Sequence, residues 1–508
     1  MTMKRLFLSV LCAVPAFCIG QAVLLYNDGA TVKVQAGATL YVEGGIQNTA
    51  TGTIDNDGVI EVKGNFINAG TWEPSQPNTL KFSGNVNSDV TPGTAQFQTV
   101  VIQKDATFNV NLLGSMIVNT NLDFNSTGAS KVILNNFDLK IGNSGTVTGY
   151  DADEYVVTGG TGMMQKGVTA NGSFTLPVGD DLTDYSPITS TFTGSAYSTA
   201  NLRVKANDVT HPNKPSDATD FISRYWDVDA TGITGYANTL VATYLPADAT
   251  GTASLIKGAS YNGSAWNYAA AAAGSNTVTG SLSATAADFT GTNFFGKIDF
   301  LAFLQGPFSA GAMSIALNTA GYIPLTSPYT DAPATVGSIP ANVTDWVKIE
   351  LRDASNPATI LSKTSAFIKN TGAIVGLDGT ALPRIKDGNP SSIVAIVHRN
   401  HLPFRTNAGI DVANPTFQDF TITNALLYDN GIDNAPLNTV SGKFVMWPCD
   451  ASGTNYVVNS TDLNFVKSQS ASTPTGYLRA DVNLNGAANS TDLNLTKSIS
   501  AVAKSADL

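Results

Sequence analysis

Residues Asp481 to Asp492 read Asp-Val-Asn-Leu-Asn-Gly-Ala-Ala-Asn-Ser-Thr-Asp. Asp481, Asn483, Asn485, Asn489 and Asp492 put side-chain oxygens at positions 1, 3, 5, 9 and 12, and Gly486 stands at position 6. Calcium takes six to eight hard oxygen ligands, and alternate positions of a tight loop turn toward one point. Gly486 permits the sharp turn, and the Ala487 carbonyl serves at position 7. Asp492 opens a helix from which it can bind in bidentate fashion. Asn, Asp and Gly also build ordinary turns, but the matched register favours a calcium loop over a plain one.

The segment is duplicated. Asn459-Ser-Thr-Asp462-Leu-Asn-Phe-Val-Lys-Ser468 lies 30 residues before Asn489-Ser-Thr-Asp492-Leu-Asn-Leu-Thr-Lys-Ser498. Counting back from Asp462 to position 1 gives Ala451, which has no ligand oxygen. Asp450 takes that place only if the loop accommodates one extra residue, with Ser452 and Asn455 as further candidates. The duplication resembles type I dockerin modules, and the resemblance covers residues 443–508. It implies two loop–helix repeats, each binding calcium, and docking to a cohesin-like or other surface protein. It also implies that Ser460, Thr461, Ser490 and Thr491 touch that partner, although a helix N-cap role explains them equally well.

A second resemblance runs from Asp299 to Phe404. Phe303-Leu-Gln-Gly306, Ile323-Pro-Leu325, Asp345-Trp346-Val347, Glu350-Leu-Arg-Asp353 and His398-Arg-Asn-His401-Leu402 carry it. These phrases look like a module of large secreted surface proteins from Bacteroidota-type bacteria, where it sits just before a dockerin-like end. That resemblance implies no catalytic role.

The elements that must position these residues read as mainly β. From Gly29 to Trp72, short alternating strands each follow a glycine: Gly29, Gly37, Gly45, Gly52, Gly58, Gly64 and Gly70. That spacing is too short for hairpins and suits a parallel β-solenoid, with Asn48, Asn56, Asn65 and Asn68 forming ladders near the turns. An ordinary β-sandwich with tight turns is the alternative. The expected organisation is a signal peptide over 1–20, a parallel β-solenoid-like region over 21–149 and a β-sandwich over 150–296. A β-sandwich surface-protein module over 297–428 follows, then a linker over 429–442. A small α-helical, dockerin-like calcium-binding module over 443–508 closes the chain. Trp226 and Trp266 read as core aromatics, and Ala269–Ala273 as a loop.

Composition narrows the function. Charged residues make up only 13% of 508, and the formal net charge is −11. Lys4 and Arg5, the apolar run Leu6 to Ile19, and small Cys18 and Gly20 before Gln21 read as a secretory signal. Phe17 before Cys18 and Leu11 before Cys12 argue against a lipid anchor. Removing the signal leaves Cys449 alone, so no internal disulfide is expected, and a more acidic chain that repels nucleic acid. No later apolar run approaches a membrane span. Enzyme signals are weak. His398 and His401 are expected on opposite faces of a strand, and Gly291–Ile298 imitates a phosphate loop without its Ser/Thr. Asp345, Glu350 and Asp353 could be imagined as paired glycosidase carboxylates, but Glu350 and Asp353 straddle a strand end and read as solvated charges at its edge. The expectation is therefore a secreted, non-catalytic structural or adhesive cell-surface protein that docks through calcium. The alternative is a polysaccharide-binding or polysaccharide-degrading component tethered the same way, with Trp72, Trp226 or Trp266 stacking on sugar.

Overall fold

The glycine-led units fold as short strands, among them Gly45–Asn48, Thr53–Asn56, Val59–Val62, Phe66–Asn68 and Thr71–Glu73. Every third unit stacks in parallel register: Gly45–Asn48 on Phe66–Asn68, Thr53–Asn56 on Thr71–Glu73, and Thr39–Val42 on Val59–Val62. The result is a β-solenoid of about seven turns within a mainly β chain. The computed structural model describes residues 22–508 except 74–77, 106, 126–127, 273–275, 432, 434, 454–455 and 507. The expected signal peptide, 1–20, lies outside the described residues.

Glycine recurs because stacked corners leave no room for a Cβ. At Gly70 it would stand 2.2 Å from the Thr49 carbonyl oxygen, and at Gly52 2.2 Å from Asn48 Oδ1. Alternate strand residues point inward, and the inward amides form a ladder. Asn27 Nδ2 donates to Asn48 Oδ1 at 2.8 Å, Asn48 Nδ2 to Asn68 Oδ1 at 2.7 Å, and Asn68 Nδ2 to the Pro92 carbonyl at 3.1 Å. A buried amide is costly unless bonded, and here each rung satisfies the next. Asn56 and Asn65 bond backbone groups of the next turn instead. Phe66, Trp72 and Phe97 pack edge to face inside, with ring centroids 5.0 to 5.8 Å apart.

The solenoid outlasts its expected end at residue 149. One face continues to Val178–Gly179, stacked on Val156–Val157, and another to Met164–Val168 on Leu139–Ile141. Met164–Val168 then pairs antiparallel with Ala196–Asn207, so the parallel sheet runs on into antiparallel strands. Phe221–Thr234, Ala286–Asn293, Ile256–Tyr261 and Trp266–Ala272 extend it. Gly172–Leu176, Ile188–Thr193, Ala237–Thr243 and Thr277–Leu282 form a separate antiparallel sheet. One apolar cluster runs from Val34 through to Phe289, including Trp226 with no exposed surface. One local expectation fails: Ala269 to Ala272 belong to a strand. Gly291, in the run that imitates a phosphate loop, lies inside Ala286–Asn293.

The chain divides into two compact units, the second spanning Asn293–Leu508. Its main sheet runs in the order Ile374–Val375, Ile360–Lys369, Val343–Asp353, Ser391–Val397, Phe404–Arg405. Val343–Asp353 is central and buried on both faces from Val343 to Leu351. The expected solvated edge is therefore wrong for Glu350, and Asp345 is fully buried as well. Glu350 is buried between Lys348 at 3.0 Å and Arg352 at 2.6 Å. Only Asp353 caps a turn, accepting the N–H groups of Ser355 and Asn356. Within 429–442, Asp433 takes bonds from the Lys504 ammonium and the Ser505 N–H, and Asn438–Val440 pairs with Lys443–Val445.

Candidate metal centre

Two helices, Ser460–Ser470 and Ser490–Ser500, repeat one construction. Asn459 and Asn489 are their N-caps, each accepting the N–H of the threonine two residues on. Asp462 and Asp492 complete a capping box by accepting the N–H of the cap residue. Ser460, Thr461, Ser490 and Thr491 therefore do not serve as N-caps. They form the exposed first turn of each helix.

The repeat extends to strand pairing. Val458 N donates to the Lys504 carbonyl, and Ala488 N to the Pro474 carbonyl. Adding 30 to Val458 and Pro474 gives Ala488 and Lys504, so each half pairs its loop exit with the segment behind the other half's helix. The duplicated sequence thus folds as two halves about a pseudo-dyad.

In the second loop, Asp481 and Asp492 have no exposed surface. Asp481 accepts the N–H groups of Asn485 at 3.0 Å and Gly486 at 2.8 Å. Asp492 accepts those of Val482, Asn483 and Asn489. Asn483 and Asn485 each accept the N–H two residues on, the Asx turns that curl the loop. Gly486 has φ +94°, which a side chain rarely adopts. Burial pushes the Asp481 carboxyl up to about 6, and the nearby charge of Asp492 adds to the shift. Asp492 is also raised, chiefly by burial. Among the described residues, neither carboxylate has an ion-pair partner.

The first loop departs from that register. Asp462 accepts the Ser452 and Asn459 N–H groups, so Ser452 offers its backbone there. Asp450 is 1% exposed, and its Oδ1 has no hydrogen-bond partner. Burial and the charge of Asp462 push its carboxyl up to about 6. Arg479 lies alongside, donating from Nε to the Ala451 carbonyl at 2.9 Å and from Nη2 to the Asp450 carbonyl at 3.2 Å. Asn455 lies outside the described residues. Cys449 is buried next to both loops, and burial pushes its thiol up to about 12.

Calcium fits this donor set. Buried carboxylates crowd together in both loops, one oxygen is orphaned, and the remaining oxygens are amides and carbonyls. Among the described residues no grouping of three or more His, Cys, Asp or Glu that could hold a metal ion is found, and each loop buries two aspartates. Bound calcium would supply the positive charge that Asp450, Asp462, Asp481 and Asp492 lack.

The loops are held by residues distant from them in the chain. Asn400, fully buried, donates from Nδ2 to the Asp481 carbonyl at 2.8 Å and to the Arg479 carbonyl at 3.0 Å. Its own carbonyl accepts the Cys449 N–H at 2.9 Å. One residue thus pins the start of both loops. Around it, Asp345 accepts from Tyr477 Oη at 2.6 Å, Arg399 Nε at 2.9 Å and His398 Nε2 at 3.2 Å. Burial alone would raise the Asp345 carboxyl. The charge of Arg399 and these bonds outweigh it and hold the group well below the usual carboxylate range.

His398 and His401 lie beyond the end of Ser391–Val397, not on opposite faces of it, and their Nδ1 atoms are 3.1 Å apart. His401 Nε2 accepts the Gly306 N–H, which leaves its proton on Nδ1, toward His398 and Asn400 Oδ1. The unbroken polar run His398-Arg-Asn-His401 after an apolar strand was the only available hint of this cluster.

Of the tryptophans weighed for sugar stacking, Trp72 and Trp226 are core, whereas Trp266 is half-buried on an outer sheet face. Compared with protein-family models, curated proteins and solved structures, the chain gives no match.

Proposed function

We propose that residues 443–508 are a calcium-ordered, dockerin-like docking module. It would close a secreted, non-catalytic structural or adhesive surface protein whose antiparallel regions are β-sandwiches. The observation that carries this reading is the duplicated loop–helix half, each copy burying two carboxylates that form no ion pair among the described residues. Ser460, Thr461, Ser490 and Thr491 would meet a cohesin-like partner from the exposed first turns of the two helices. A signal peptide over 1–20 would carry the protein out of the cell, where calcium is millimolar. The alternative of a polysaccharide-acting component keeps the same docking module. The test is a pull-down from culture medium with the full chain, with calcium and with chelator. Capture of one surface protein should need calcium and should fail for the combined Thr461→Arg and Thr491→Arg variant. Calcium-independent capture, or capture unaffected by that variant, contradicts the docking reading.

A further inference from the structure

The outer face of the antiparallel sheet in the first unit carries a cavity of about 420 Å³. Asp227, Asp229, Asp288, Tyr261, Asn262 and Met163 line it. Asp227 and Asp288 are direct cross-strand partners, and Lys205 faces Asp227 from the other side. Beside the cavity runs a ridge of half-buried rings. Trp266 lies 5.1 Å from Tyr261 and is stacked 6.4 Å from Tyr268, centroid to centroid.

The ridge is fixed from beneath by His211, which is 2% exposed. Its imidazole meets Tyr225, Tyr261 and Trp266 edge-on at 5.0 to 5.4 Å. His211 Nδ1 accepts the Asn213 N–H at 3.1 Å, so Nε2 carries the proton and donates to Asp288 at 2.8 Å. The Asn213 carbonyl in turn accepts from Trp266 Nε1 at 3.2 Å. Rings locked in this way lose little entropy when a ligand covers them.

Charge selects the ligand class. Asp229 pairs with Arg203 at 3.5 Å, Asp288 with His211, and Asp227 feels the charge of Lys205. Each carboxylate already has a basic neighbour, so a cation gains little. Carboxylates outnumber those neighbours' fixed charges, so an anion is repelled. Paired carboxylates that still offer free lone pairs, next to flat aromatic faces, suit a ligand with many hydroxyl donors and apolar C–H faces.

We infer that this face binds a neutral oligosaccharide, with hydroxyls on Asp227, Asp229 and Asp288 and sugar rings on the Tyr261–Trp266–Tyr268 ridge. The inference uses none of the calcium-loop residues and stands independently of the docking reading.

The test is calorimetric titration of the full chain, in chelator, with cellohexaose, laminarihexaose and mannohexaose. Polygalacturonate and polylysine serve as anionic and cationic controls. At least one neutral hexasaccharide should bind at millimolar concentration or below. Trp266→Ala and Asp229→Ala should each weaken it roughly tenfold, with the melting temperature unchanged. Should Trp266→Ala lower the melting temperature, Tyr268→Ala, at the outer end of the ridge, replaces it. The proposal is overturned if no neutral hexasaccharide binds, if only a charged control binds, or if the ridge variants that keep the wild-type melting temperature bind as wild type does.

Discussion

Asn400 is the residue on which the candidate metal centre turns, because its amide and its carbonyl reach the starts of both loops. Asn400→Ala keeps the backbone carbonyl that holds Cys449 and removes both side-chain bonds, so it should weaken calcium binding at the second loop, by about tenfold for a lost pair of buried hydrogen bonds. Calorimetry of the full chain reads it, and an unchanged affinity would make the contact incidental. His401 carries a pH dependence. Burial holds His398 below its ordinary pKa and His401 well below it. The unfolded chain therefore takes up protons near pH 6.5 that the folded chain refuses. Stability from these groups is fully present above that pH and falls as the solution is acidified, by up to about 1.4 kcal/mol per pH unit for His401 and by less for His398. Between pH 6 and pH 5 the raised carboxyls of Asp450 and Asp481 act in the opposite sense, so the histidine share is read as a difference: in denaturant unfolding the His401→Gln chain should lose less stability on acidification than the wild type. At this scale the ligand-bearing residues Asp481 and Asp492 were legible, because loop ligands follow one another at fixed spacing. Asp345, Asn400 and Tyr477 were not, since they meet only after the sheet has folded.

At the scale of the element, the solenoid shows where sequence periodicity ends. Its first turns were legible because corners call for glycine, at Gly58 and Gly70 under a neighbouring carbonyl and at Gly29 and Gly37 for a positive φ. Later turns use the nine-residue strands Gln96–Lys104 and Met116–Phe124, whose register shifts between Phe97 and Thr99. A bulge turns the chain there without glycine, so the spacing signal fades and the end near residue 179 went unread. The asparagine ladder should also be measurable. Asn48→Ala removes the amide between Asn27 and Asn68, leaving Asn68 Oδ1 without its donor, and should cost about 2 kcal/mol in urea unfolding of the first unit. A cost below about 0.5 kcal/mol would mean that stacked strands alone hold these turns.

For the whole molecule, calcium should act on one unit only. The C-terminal apolar cluster includes Leu402 from the preceding segment, alongside Val458, Val466, Val482 and Ile499. A fragment beginning at Lys443 would lack Leu402 and Asn400, so the response belongs to the full chain. Thermal unfolding should show a transition from Asn293–Leu508 that rises with calcium and another that ignores it. With calcium at ten to a hundred times Kd, the gain is about 1.4 to 2.7 kcal/mol. Composition foretold a mainly β chain. It did not foretell that the expected linker and the helical end would be bonded together through Asp433, Lys504 and Ser505, because those bonds join positions far apart in the chain.

Calorimetric titration of the full chain with calcium tests the central claim most directly. Only two carboxylates serve the second loop, so Kd should fall in the extracellular class, about 10⁻⁴ to 10⁻³ M. Asp492→Ala should abolish most of the heat, while Asp462→Ala, in the loop with the longer register, should remove less. A chain that takes up no calcium at millimolar concentration, or one in which Asp462→Ala is the more damaging change, contradicts this account of the module.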